Sequence, residues 1–140
     1  MSGRVWRPTR LIKEPSLLWW FFDILRVKKF MNKVYLTKLQ DVLRRARLPS
    51  EARFIEYKTC FGAVAGYVRG YIFVSCGRFG VALKLPPETL ERLFKEGNAK
   101  HLKYFPNGHI KKEYAVLPRR IVKNRRALNR LLNTSIDYVI

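Results

Sequence analysis

The residue types most often used in catalysis are few and scattered in this sequence. Its two histidines are His101, in a predicted strand, and His109, beside an Asn-Gly turn. Its two cysteines, Cys60 and Cys76, lie in apolar segments, where a free cysteine packs as a small hydrophobic residue. No HExxH, GxSxG or phosphate-loop motif occurs, and no cysteine or histidine pair has the spacing of a metal site. We therefore predict a protein that is not an enzyme and needs no metal or cofactor.

Cysteine usage also bears on location. Two cysteines are too few for a disulfide scaffold, which predicts a reducing, cytoplasmic environment. The alternative, a bridge between neighbouring strands, stays open.

Positive charge is the one signal for binding chemistry. The chain has 29 Lys and Arg against 10 Asp and Glu, a formal net charge of +19, and such a surface attracts phosphate-rich polymers. Between Lys100 and Arg130 the excess is opposed only by Glu113. The residues that we predict to contact a polyanion lie near the end of this stretch: Arg119, Arg120, Lys123, Arg125, Arg126 and Arg130.

Aromatic residues are interleaved with these cations. Tyr104, Phe105 and Tyr114 could stack on bases, whereas the alternative is that strand aromatics are core and the arginines merely solvated. No helix-turn-helix, RNP sequence or zinc-finger spacing occurs. Any binding of DNA or RNA should therefore act through phosphates, depend on salt and show little sequence preference.

A glycine-punctuated stretch, residues 58–85, is the predicted centre of the fold. Its segments are rich in Val, Ile, Phe and Tyr, and the breaks at Arg69-Gly70 and at Cys76–Arg78 are short enough for hairpins. Gly62 and Gly66 indicate a bulge or a close backbone approach. We expect a meander of three antiparallel strands, approached by an alternating segment at residues 53–59.

Helices and a second hairpin surround this meander. Amphipathic periodicity predicts a helix from Asn32 to Pro49, a second that ends at Gly97 and a final one capped by Asn124. The turn Pro106-Asn107-Gly108 predicts a hairpin between Lys100–Phe105 and Lys111–Leu117. The result is one α+β domain over residues 31–140, with helices packed on an antiparallel sheet in two layers, in the order α-β(3)-α-β(2)-α.

Residues 1–30 form a basic and aromatic leader of a different character. The apolar run Leu17–Phe22 is flanked by basic residues and is far shorter than the ~20 residues that cross a bilayer. The favoured interpretation is docking on the domain or on another copy of it. A start-site artefact, with the native product starting at Met31, and a membrane-surface segment at residues 15–30 are the alternatives.

Several short motifs, in order, resemble one known family. They are Phe61-Gly62, Gly66–Val68, Gly70, Ala82–Leu85, Gly97, Lys112–Tyr114 and Val116–Pro118. Over about residues 36–139 the sequence is similar to the N-terminal domain of the TfoX/Sxy family, which is linked to the regulation of natural competence in bacteria. The resemblance implies the same α-β(3)-α-β(2)-α fold. The segment after the last strand is usually acidic in that family, whereas here it is basic, and the family's separate C-terminal domain has no counterpart before Ile140.

Three functions follow as hypotheses. The resemblance and the lack of catalytic motifs favour a regulatory adaptor that binds a protein partner, such as a transcription factor, and also contacts DNA. The charge cluster favours a non-specific nucleic-acid-binding protein. Association with a membrane surface through residues 15–30 is the least favoured.

Overall fold

The computed structural model describes the backbone of residues 8–140 and the side chains of residues 19–140 other than Cys60. Over this range it has four α-helices, α1 (Pro8–Arg44), α2 (Pro87–Lys95), α3 (Arg119–Lys123) and α4 (Arg125–Val139), and a short 3-10 turn, Ser50–Ala52. The strands are β1 (Ile55–Cys60), β2 (Ala63–Val68), β3 (Tyr71–Gly77), β4 (Gly80–Lys84), β5 (Lys100–Leu102) and β6 (Lys111–Leu117). All strand pairs are antiparallel, which confirms the α+β class.

The chain divides into two compact units, Met1–Met31 and Asn32–Ile140. Helix α1 continues through the boundary and contributes its last turns, from Asn32 to Arg44, to the second unit. The predicted leader falls in the first unit, but residues 1–7, the side chains of residues 8–18 and the side chain of Cys60 lie outside the described part. The sheet and helices α2 to α4 all belong to the second unit.

The six strands follow the order β1-β2-β3-β4-β6-β5. The predicted three-stranded meander gains a fourth strand, because the approach segment forms β1 and pairs with β2 along its whole length. Phe61 and Gly62 connect these strands with φ of 50° and 77°, and Arg69 and Gly70 connect β2 to β3 with φ of 52° and 82°. Positive φ at both central residues is the type I′ geometry, which matches the twist of paired strands.

Gly66 produces the irregularity that its position predicts. The β2–β3 register shifts between Gly66 and Tyr67. A Cβ atom at Gly66 would lie 2.7 Å from Cγ1 of Val74, which is fully buried. The absence of a side chain therefore lets the two strands approach here.

The second hairpin differs from the prediction. Strand β5 ends at Leu102 rather than Phe105, and the Asn-Gly pair lies inside a long connection instead of a two-residue turn. Pro106 follows Phe105 in a turn closed by the Gly108 N–H, which donates to the Phe105 carbonyl at 2.9 Å. Neither Asn107 nor Gly108 has positive φ. Proline at the second turn position suits an ordinary type I turn, which splays strands rather than pairing them tightly.

One part of the core lies where α4 packs against β3 and β4. Leu132 and Ile136 of α4 and Phe73 and Leu83 of the sheet are fully buried. The buried hydroxyl of Ser135 lies within donating distance of two strand carbonyls, those of Phe73 (2.9 Å) and Lys84 (2.6 Å). A polar group buried this deeply needs a partner, so this contact helps to hold α4 in place on the sheet.

Candidate nucleic-acid interface

The segment after the last strand presents the predicted polyanion-binding residues. Pro118 adopts an extended conformation (φ −68°, ψ 157°) that ends β6 and begins α3 directly at Arg119. Proline at this position lacks an N–H that a strand could use, so the sheet stops here. The six predicted side chains are all exposed: Arg119, Arg120, Lys123, Arg125, Arg126 and Arg130.

Asn124 separates α3 from α4. Its extended backbone (φ −86°, ψ 103°) interrupts the helix, and its Oδ1 accepts a hydrogen bond from the Ala127 N–H at 3.1 Å, as the sequence predicts for a cap. Leu128, Leu131 and Leu132 are then buried, which leaves the arginines of α4 on the opposite, solvent-facing side.

A cavity of about 520 Å³ lies beside α3, and we call it the basic groove. It is lined by α1, by the turn between β3 and β4, and by α3. Strand pairing explains the meeting of these elements, because Val81 opposes Leu117 and so brings the β3–β4 turn beside the start of α3. Five cationic side chains line the groove: Lys38, Arg45, Arg78, Arg119 and Lys123.

Asp41 is the one acidic residue among the described residues that line the groove. Its carboxylate is already neutralised by two cations, with Arg44 Nη2 at 2.5 Å and Arg45 Nη2 at 3.6 Å. Of the ion pairs formed by described residues, none involves Lys38, Arg78, Arg119 or Lys123. The groove therefore carries uncompensated positive charge.

The floor of the groove is apolar. Val42, Val81, Leu117 and Val122 line it between the charged side chains. An apolar surface of low dielectric constant strengthens the electric field of the surrounding cations. Its aliphatic side chains also have no acceptor that would compete with a bound anion for these cations.

A smaller cavity of about 330 Å³ extends the positive surface toward α4. It shares Arg45, Val122 and Lys123 with the basic groove and adds Arg125. The end of α1 is held close by two hydrogen bonds to α4. The Arg47 N–H donates to Asn129 Oδ1 at 2.7 Å, and Asn133 Nδ2 donates to the Arg47 carbonyl at 3.0 Å.

The structure brings together only some of the predicted contacts. Arg119, Lys123 and Arg125 line the two cavities. Arg120 instead donates a hydrogen bond to Asn98 Oδ1, at the end of α2. Arg126 and Arg130 are exposed on α4 and line neither cavity.

Sequence reasoning missed Lys38, Arg45 and Arg78. They are distant from the basic stretch in sequence, and only helix packing and strand pairing bring them to it. A correct alignment of β4 with β6 would have placed Arg78 near Arg119, since Val81 opposes Leu117.

The tyrosines proposed for base stacking are partly buried against the sheet, whereas Phe105 is exposed. Tyr104 and Tyr114 pack against a buried cluster that contains Ala82 and Val116. Ala82 and Val116 are adjacent in sequence to Val81 and Leu117, so alternation along the strands places them on the opposite face from the groove floor. Phe79 lines the groove and also packs against this cluster, with its ring centroid 5.6 Å from that of Tyr104. Base stacking by Tyr104, Phe105 and Tyr114 beside the cations stays a prediction.

The described histidine and cysteine side chains lie in separate parts of the fold. The described side chains include no group of three histidine, cysteine or acidic residues that could hold a metal. His101 stacks on Phe94, with ring centroids 4.1 Å apart and an interplanar angle of 29°. Burial raises the pKa of the Cys76 thiol, and the nearby charge of Lys38 opposes this effect.

No protein family matches this chain. No curated protein matches it either. A search of the described helices finds none that is long and apolar enough to span a bilayer. We therefore infer the function from the charges and packing of the chain itself.

Proposed function

We propose that the second unit is a non-enzymatic regulatory domain that binds the phosphate backbone of a nucleic acid along the basic groove. One observation carries this proposal. Five cations from three separate elements line one cavity, and the one acidic residue described there is already neutralised. Lysine and arginine arranged in this way neutralise successive phosphates and release their counterions.

Contact through phosphates makes the binding dependent on salt and tolerant of sequence. The cations lie on a concave surface around an apolar floor, and α3, at five residues, is too short to serve as a recognition helix. Contacts of this kind position a protein on a duplex without reading its bases.

Charge reversal in the groove tests this proposal. The variant Arg119→Glu with Lys123→Glu should bind a labelled random-sequence duplex about tenfold to a hundredfold more weakly at 100 mM NaCl. The slope of log affinity against log salt should also fall by about 2, one for each lost phosphate contact. Fluorescence anisotropy measures both quantities. Both side chains are exposed, so the far-UV circular dichroism spectrum should not change.

A matched control separates the groove from the net charge. Lys95→Glu with Lys112→Glu makes the same charge change at two exposed positions that do not line the groove. This control should lose much less affinity. Equal losses in the two double variants, or no binding by the unaltered chain at low salt, would contradict the proposal.

A protein-binding adaptor is the second candidate function. The resemblance to the TfoX/Sxy N-terminal domain supports it, and so does an exposed aromatic patch. Phe61 and Phe105 are 63% and 54% exposed, and their ring centroids lie 5.7 Å apart. Exposed, clustered aromatics are enriched where proteins bind one another.

Affinity capture tests the adaptor role after nuclease treatment has removed nucleic acid. The unaltered chain should retain a defined protein that the variant Phe61→Ser with Phe105→Ser loses, while the groove variant keeps it. If the Phe61→Ser, Phe105→Ser variant retains the same proteins as the unaltered chain, this patch is not an adaptor surface.

A further inference from the structure

We propose that residues 19–30 of α1, the aromatic segment, insert at the surface of a bilayer that contains anionic lipids. This inference is independent of the groove, since the segment belongs to the first unit. Its large apolar side chains are exposed to an unusual degree, with Trp19, Trp20 and Phe30 at 63% and Phe21 and Phe22 at 54%. An exposed apolar surface of this size is typical of a site that binds a protein, a membrane or a ligand.

The arrangement of the aromatic residues indicates what covers them. Successive helical residues point about 100° apart, so Trp19, Trp20, Phe21 and Phe22 project in four directions around the helix. A folded protein partner covers one side of a helix, whereas a helix that lies in the headgroup layer contacts lipid on several sides. Tryptophan also favours the interface between headgroups and hydrocarbon, where its ring and its N–H are both satisfied.

Charge then selects the type of lipid. Arg26, Lys28 and Lys29 are exposed and follow the aromatic turn directly, and they are opposed within the segment only by Asp23, which lies 4.0 Å from Arg26. Basic residues at the edge of an apolar helix bind the phosphates of anionic headgroups.

The same charges disfavour a second copy of the chain as the cover. Pairing two such segments would bring two basic clusters together on molecules that each carry a net charge of +19. The aromatic segment also lies in the middle of the continuous helix Pro8–Arg44. The geometry that fits is therefore a helix that lies along the bilayer surface rather than one that enters it end-on.

Vesicle binding by the full chain tests the proposal. Unaltered protein should co-sediment with vesicles of phosphatidylcholine and phosphatidylglycerol, and much less with phosphatidylcholine alone. Two of the three tryptophans lie in the segment, so the emission maximum should also shift to shorter wavelength on binding. The variant Trp19→Ser with Trp20→Ser should lose about tenfold or more in partitioning to the anionic vesicles.

Three further variants make the result specific. Phe54→Ser with Tyr71→Ser removes two other exposed aromatics, at 81% and 57%, and should bind vesicles as the unaltered chain does. The groove variant Arg119→Glu with Lys123→Glu should lose nucleic-acid binding but keep most of its vesicle binding and its emission shift. Lys28→Ala with Lys29→Ala should reduce the preference for anionic lipid.

Several outcomes would overturn the proposal. One is that the tryptophan variant binds vesicles as strongly as the unaltered chain, which would indicate that charge alone causes the binding. Another is an absence of binding by the unaltered chain at low salt. A third is a concentration-dependent oligomer that the tryptophan variant abolishes, since this would make a second copy the cover.

Discussion

Close packing at single residues controls how the strands of this sheet meet. Gly66 lies where the β2–β3 register shifts, and a Cβ there would approach Val74 Cγ1 to 2.7 Å. Val74 is fully buried and β-branched, so it has little freedom to move aside. A side chain at position 66 therefore fits only if Val74 is replaced by a smaller residue.

Gly66→Ala should therefore lower the free energy of unfolding by about 1–3 kcal/mol, the usual cost of overpacking a core. Urea unfolding followed by circular dichroism measures this loss. Adding Val74→Ala should recover part of it, so that the double variant is less destabilised than the sum of the two single variants. Simple additivity would show that the contact with Val74 is not the cause.

Cys76 should make the stability depend on pH. Burial raises the pKa of its thiol in the folded state, so above about pH 8.5 the unfolded chain releases a proton that the folded chain keeps. The free energy of unfolding should fall as pH rises through this range, by at most ~1.4 kcal/mol per pH unit. Below the ordinary thiol pKa the effect is absent.

Urea unfolding at pH 7.5, 8.5 and 9.5 should show a smaller decline for Cys76→Ala than for the unaltered chain. The pKa of Tyr57 is also raised by burial, and it adds a decline near pH 10 in both proteins. Parallel pH profiles for the two proteins would contradict a role for Cys76.

At the scale of elements, short connections determine how the candidate interface is built. Asn124 ends α3 and caps α4 within a single residue, which keeps Lys123 at the groove and turns the arginines of α4 to solvent. This cap could be predicted from sequence, because asparagine before an amphipathic run has a local physical cause.

Asn124→Ala should lower the free energy of unfolding by about 1 kcal/mol, because the Ala127 N–H loses its acceptor. Asn124→Asp keeps an acceptor oxygen and should retain the stability. Thermal unfolding of the three proteins tests this, and an unchanged midpoint for Asn124→Ala would show that the cap contributes nothing.

Other connections could not be predicted from sequence, for physical reasons. The Phe61-Gly62 turn needs positive φ at a phenylalanine, a conformation that bulky residues rarely adopt, so the sequence does not indicate that β1 forms a separate hairpin strand. Conversely, Asn107-Gly108 has the composition of a tight hairpin turn but follows Pro106 in a type of turn that does not need glycine. Arg78 joins the groove through pairing between residues that are far apart in sequence.

At the scale of the whole molecule, the net charge of +19 acts on folding as well as on binding. Repulsion among so many like charges destabilises the compact state, and about 0.1 M salt largely screens the repulsion between exposed charges that are more than about 10 Å apart.

Raising NaCl from 50 to 500 mM should therefore stabilise the chain by about 1 kcal/mol, or about 4 °C in the thermal midpoint. Calorimetry at several salt concentrations measures the shift. Arg126→Glu with Arg130→Glu, at two exposed positions, should reduce it. A midpoint that falls with salt would mean that attractive ion pairs outweigh the repulsion.

The pairing of Val81 with Leu117 also has a kinetic consequence. Strands β1 to β4 are joined by tight turns, so they can pair through local contacts. Strand β4 pairs on its other side with β6, which is distant in sequence, and this pairing should form more slowly. We expect the groove to be completed late in folding and to open early in unfolding. A bound polyanion would then slow unfolding, and its dissociation rate would limit the rate at which the domain unfolds.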